Sequence, residues 1–114
     1  MKMQVAELDG VILIALNGRM DMLGVEDVGA PFSEAVGERR ALVVVDLSHV
    51  DFLASVGLRL LFTNARNLHQ HGGAMALAGS QPDVRAVLDA TGVPKVIPVY
   101  STVSEACNGL RNGV

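Results

Sequence analysis

The constraint that most narrows the fold is a pair of unbroken apolar runs. Val11-Ile12-Leu13-Ile14-Ala15-Leu16 and Ala41-Leu42-Val43-Val44-Val45, the second closed by Asp46, are rich in β-branched residues. A strand wet on one face alternates apolar and polar residues, so runs like these need cover on both faces. Between them the pattern turns helical. Val25, Val28, Phe32, Ala35 and Val36 recur at three- and four-residue steps from Asp21 to Gly37, which predicts one apolar helix face. Pro31 falls inside that stretch and marks either a kink or the start of a second segment.

The remaining segments follow closely. Gln4 to Leu8 is a short mixed strand, and Asp9-Gly10 is a favoured two-residue hairpin dipeptide. The first two strands are therefore expected to be antiparallel, with Asn17-Gly18 ending the second. Ser55 to Gln70 is the strongest helix: Leu58, Leu61, Phe62, Ala65 and Leu68 share one face, and Gly72-Gly73 stops it. Ala74 to Ala78 reads as a strand. Ser80-Gln81-Pro82-Asp83 then starts a helix closed by Gly92 and Pro94. Val96 to Tyr100 is a last strand, placed at an edge by Pro98. Thr102-Val103-Ser104-Glu105 is a capping box for a final helix through Leu110, with Asn112-Gly113-Val114 frayed. Leu47 to Ala54 reads as a connecting loop. The expectation is one α/β domain over residues 1–114. Its mixed five-stranded sheet has four parallel-type strands plus an antiparallel N-terminal hairpin strand, with about four helices.

Composition removes several functions. Lys and Arg number 9 against 12 Asp and Glu, a net charge of −3, and Arg39-Arg40 is no more than a pair. That argues against a nucleic-acid binder. Cys107, the single cysteine, allows no intrachain disulfide and no Cys-based zinc site, which suits a reducing compartment. The Met1-Lys2-Met3-Gln4 start lacks the apolar stretch of a signal peptide, and no apolar run approaches a membrane span. A cytoplasmic protein without membrane association is expected.

Catalytic constellations are sparse. The chain carries no phosphate-binding loop, no dinucleotide-binding glycine turn and no nucleophile elbow. His69 and His71, two residues apart, fall on different helix faces and read as solvated side chains at a helix end. Asp46 and Asp51 could serve as acid and base, but a strand-end aspartate more often caps its turn. A small hydrolase or metal enzyme using His49, Asp46 or Asp51 is the reading of a different class. The expectation is a binding protein rather than an enzyme, with no cofactor and no metal.

One segment stands out: Asp46-Leu47-Ser48-His49-Val50-Asp51-Phe52-Leu53-Ala54-Ser55-Val56-Gly57-Leu58. A strand ends, apolar Val50, Phe52 and Leu53 follow, and Ser55 stands where the strongest helix begins. Ser55 can be an N-cap, worth about 1 kcal/mol against alanine. It can also be a phosphorylation site, because a helix N-terminus tolerates the added anion. Ser48 is a second possible acceptor.

This segment resembles the STAS domains of bacterial anti-sigma factor antagonists, which typically read Asp-Leu-Ser-x-Val-x-Phe-Met-Asp-Ser-Ser-Gly-Leu. Leu16-Asn17-Gly18-Arg19-Met20-Asp21 is similar to the family's Leu-x-Gly-Arg-Leu-Asp. The stretch from Leu77 to Ala106 resembles its closing strand–helix–strand–helix part. The resemblance implies binding to an anti-sigma factor, often an ATP-dependent serine kinase, which frees a sigma factor. It implies phosphorylation at Ser55 by that kinase, release of the antagonist, and resetting by a serine phosphatase. The implied partner-binding residues are Asp21, Phe52, Leu53, Ala54, Ser55, Val56 and Gly57, with Gly57 letting the partner approach the backbone. Two positions depart from the pattern: Ala54 stands where the family has Asp, and Val56 where it has Ser. These departures favour an alternative, a STAS binding or scaffold module without phosphorylation in another complex, such as one associated with a transporter.

Overall fold

The computed structural model describes residues 1–113. The chain runs β1 (Lys2–Leu8), β2 (Val11–Met20), α1 (Met22–Val36), β3 (Leu42–Leu53), α2 (Ser55–Gln70), β4 (Ala74–Ala78), α3 (Pro82–Ala90), β5 (Val99–Tyr100) and α4 (Val103–Gly113), with a 3-10 turn at Val93–Lys95. The five strands lie in sequence order, β1-β2-β3-β4-β5. β1 and β2 are antiparallel, joined by Asp9 (φ 49°) and Gly10 (φ 84°), both in the left-handed region that a type I′ turn requires. The other three pairings are parallel. The mixed sheet and four helices match the expectation from sequence.

Because every crossover steps one place in the same direction, the right-handed rule sends α1, α2 and α3 to one face. Val43 and Val45 of β3 join that core with Phe32, Leu61 and Leu88, while Val44 packs on the other face with Ala106, Cys107 and Leu110 of α4. Alternation across a doubly covered sheet is why the run from Leu42 to Val45 has no polar residue. Asn64, the buried polar side chain between α1 and α2, donates to Ser33 Oγ at 3.3 Å and to the Leu60 carbonyl at 2.9 Å.

Several local expectations are corrected. Asn17-Gly18 does not end β2, and residues 47–53 are not a loop. β3 continues to Leu53 against the second half of β2, with Asn17 opposite His49 and Met20 opposite Leu53. Two register shifts let β3 gain one extra residue each time, and Gly18 takes φ 122° at the second of them. The bulges break the alternation that would have marked the strand. Pro31 does not divide α1: the helix runs through it, and the proline is exposed on the solvent side, so the carbonyl it leaves free faces water. Ser80 does not cap α3; Gln81 holds the cap position, and Pro82 takes the first helical position, where its missing N–H is harmless. Only Val99 and Tyr100 form β5, because Val96 and Ile97 hydrogen-bond back to Val93. The capping box of α4 forms: Thr102 Oγ1 accepts from the Glu105 N–H at 3.1 Å and donates to Glu105 Oε1 at 3.0 Å. Asn112 and Gly113, expected to fray, are helical; Val114 lies outside the described residues. No helix among the described residues is long and apolar enough to cross a membrane.

Candidate functional site

Met20 and Leu53 are register partners at the carboxyl ends of two neighbouring parallel strands, and each strand turns directly into a helix. The Ala54 N–H donates to the Met20 carbonyl at 3.1 Å, which ties the two turns together. The N-termini of α1 and α2 therefore emerge side by side.

At the first, Asp21 is the cap. Its Oδ1 accepts from the Gly24 N–H at 2.9 Å and its Oδ2 from Arg19 Nε at 3.4 Å. The Gly24 N–H, and after it the Arg19 guanidinium, hold the Asp21 carboxyl below the ordinary carboxylate value. The same guanidinium lies 4.2 Å from the centroid of the Phe52 ring, across the β2–β3 pairing. Asp21 thus organises the corner as well as lying on it.

At the second, the cap position is Ala54, which has no side chain to offer, and Ser55 is the first helical residue. The N-cap role considered for Ser55 is corrected: the extended cap backbone is at Ala54 (φ −98°, ψ 170°), so the helix starts one residue earlier than a Ser55 cap would require. Ser55 is exposed, and its hydroxyl has no hydrogen-bond partner among the described residues.

Of the residues expected to touch a partner, the structure presents Phe52 and Ser55 to solvent and leaves Asp21, Ala54 and Val56 half-buried. Leu53 and Gly57 are buried. Leu53 belongs to the core beneath α2. A Cβ on Gly57 would stand 2.7 Å from Met20 Cγ and 2.9 Å from Leu53 Cδ1. The glycine lets α2 come close to the sheet end.

Two residues were missed. Met22 and Leu23, in the first turn of α1, are 68% and 70% exposed, the largest exposures among the bulky apolar side chains of the described residues. With Phe52 at 40% they put an apolar surface beside Ser55. The signal was available: two large apolar residues directly after a capping aspartate fall outside the Val25–Val28–Phe32 stripe.

The residues of the enzyme reading do not assemble. Asp46 Oδ1 accepts the Ser48 N–H at 3.0 Å inside the first bulge, and Ser48 Oγ lies 3.1 Å from His49 Nδ1. Asp51 is exposed further along the same strand. His71 Nδ1 bonds the Asn67 carbonyl at 2.8 Å, His69 is exposed, and Cys107 is buried. Among the described residues no group of three or more His, Cys, Asp or Glu could hold a metal ion.

Comparison with known proteins adds further findings. The family model described as "STAS domain" matches residues 2–106. BtrV of Bordetella bronchiseptica is 30% identical over 116 residues, covering 100% of this chain and 98% of BtrV. The crystal structure of an anti-sigma factor antagonist from Mycobacterium paratuberculosis superposes with a TM-score of 0.87 at 29% identity, covering 96% of this chain and 93% of that one. SpoIIAA, an anti-sigma factor antagonist of Bacillus, matches in its unphosphorylated form (TM-score 0.78, 25% identity, 99% of both chains). Its phosphorylated form matches in fold (TM-score 0.68, 22% identity, 94% and 97% of the chains).

Proposed function

The chain belongs to the STAS domain family, and on that premise we propose that it is an anti-sigma factor antagonist switched off by phosphorylation of Ser55. The observation that carries this reading is the second helix start: an exposed serine on the first turn of an uncapped helix, beside exposed Met22, Leu23 and Phe52.

The unmodified corner offers an apolar docking surface with one organised ion pair, Arg19–Asp21. An anti-sigma factor binds there and releases its sigma factor. When the anti-sigma factor is itself a serine kinase, Ser55 Oγ attacks the γ-phosphorus of ATP. The Oγ–P bond forms as the bond to ADP breaks, and the hydroxyl proton goes to a base of the kinase.

The phosphate carries nearly two negative charges. The free N–H groups of the α2 start receive it, so the antagonist keeps its fold. Arg59, one turn further along α2, is within the reach of an i,i+4 pair. The partner then meets a desolvated charge where it had met an apolar surface, a penalty of several kcal/mol without a cationic mate. A serine phosphatase reverses the step, and the cycle belongs in the cytoplasm.

The test is intact mass and phosphopeptide mapping after incubation with ATP and a lysate of the native host. One phosphate at Ser55, absent from Ser55→Ala, supports the switch. No phosphate from a lysate active on a control substrate rejects it and leaves an unswitched STAS binding module.

A further inference from the structure

A second surface lies along α2. Between this helix and the segment Lys95–Pro98 runs an open groove of about 980 Å³, reaching from Ser55 at one end of the helix to His69 at the other. Those residues are 14 positions apart, about 21 Å at 1.5 Å per residue. Phe62, Ile97 and Pro98 make its apolar lining, together with Val96, which is 67% exposed. Among the described residues, Val96 is the only large exposed apolar side chain outside the Ser55 corner and the first hairpin.

The charges around this groove run against those of the chain. The protein has 12 acidic residues against 9 Lys and Arg. Yet Arg59, Arg66 and Lys95 line the groove and no Asp or Glu does. All three cations are exposed, and none makes an ion pair among the described residues. They are spread out: Arg59 and Arg66 stand two turns apart on one wall, and Lys95 is on the other.

We infer that this groove docks an acidic amphipathic helix of a partner protein. The cationic rim selects a negatively charged occupant. The apolar lining asks for a stripe of apolar side chains, as in helix-in-groove recognition. A compact anion such as a phosphate needs donors converging on one point; here they are distributed over the length of a helix, the form of a polypeptide with carboxylates flanking an apolar stripe. This inference does not depend on phosphorylation at Ser55.

The test is selection from a displayed library of random 16-residue peptides, run in parallel on the wild-type chain and on Ser55→Ala. Both are expected to enrich peptides with apolar residues at helical spacing and Asp or Glu beside them. A recovered peptide should bind the Arg59→Glu/Arg66→Glu/Lys95→Glu variant at least about tenfold more weakly. It should bind Arg66→Gln several-fold more weakly, with an unchanged melting temperature for that mild surface variant. Added salt should weaken wild-type binding. Peptides without acidic enrichment, or equal binding to the triple variant, would overturn the inference. So would failure to recover any peptide while dodecyl phosphate binds the groove, because the occupant would then be a small amphipathic anion.

Discussion

α1 and α2 begin in the same way and end up chemically opposite. Each follows the last residue of a parallel strand, and each has a glycine at its third helical position, Gly24 and Gly57. Both glycines are there for packing, since a Cβ on either would strike the β2 end. The difference is at the cap. Asp21 closes α1 with its own carboxylate, whereas Ala54 leaves α2 open. The first start is an electrostatically finished anchor; the second has donors to spare beside a serine. One sheet end can thus hold a fixed reference and a modifiable surface a strand apart.

The largest effect expected from perturbing this comparison is at the glycines. In Gly24→Ala the new methyl would overlap the Arg19 carbonyl oxygen, backbone that cannot move aside. A loss of about 3 kcal/mol in urea denaturation is expected, even though alanine gains about 1 kcal/mol over glycine in a helix. Gly57→Ala meets side-chain atoms first, Met20 Cγ and Leu53 Cδ1, with the Met20 carbonyl oxygen further off at 3.1 Å, and should lose less, about 1–2 kcal/mol. Equal losses would show that the two starts are not packed differently.

Next in size, Ser55→Asp should weaken binding of the anti-sigma factor by about tenfold or more in calorimetric titration. Unchanged affinity would remove Ser55 from the docking surface. Ala54→Asp should erase the contrast by giving α2 the cap that α1 has, raising stability by about 0.5–1 kcal/mol. No gain would mean that the α2 N–H groups are already satisfied.

The smallest effect is expected from Asp21→Asn, which keeps a capping oxygen and loses the charge. It should lower the melting temperature by about 1–2 °C at neutral pH. Its pH dependence sharpens the test. The Asp21 carboxyl in the folded chain titrates below its ordinary value of 3.8. Its contribution is therefore complete above that value and fades as pH falls through the lowered one. The difference between wild type and variant should close on acidification below about pH 4. A constant difference would mean that charge plays no part in the cap.

Where the chain's chemistry is local, the residues were readable in advance. The Asp9-Gly10 hairpin, the bounds of α2 and the capping box of α4 depend on neighbours a few positions apart. The segment around Ser55 was legible as a motif, and its serine is exposed at a helix start. Its geometry was not legible. Ser55 and the cap position differ by one residue, and only the extended backbone at Ala54 separates them. Leu53 and Gly57 sit inside the motif, yet they face the core, because the second half of β3 is a paired strand and not a loop.

The sequence by itself determined the order of elements, the sheet buried on both faces and the absence of the common phosphate and nucleophile motifs. These follow from periodicity and from residue types, which each segment carries alone. Tertiary structure decided that β2 and β3 run on to Met20 and Leu53, that the two helix starts lie together, and that Met22 and Leu23 join Phe52 and Ser55. It also gathered Arg59, Arg66 and Lys95 around one groove. Such neighbours are set by strand register through two bulges and by the way helices pack on a sheet. No segment contains that information until its partner is in place.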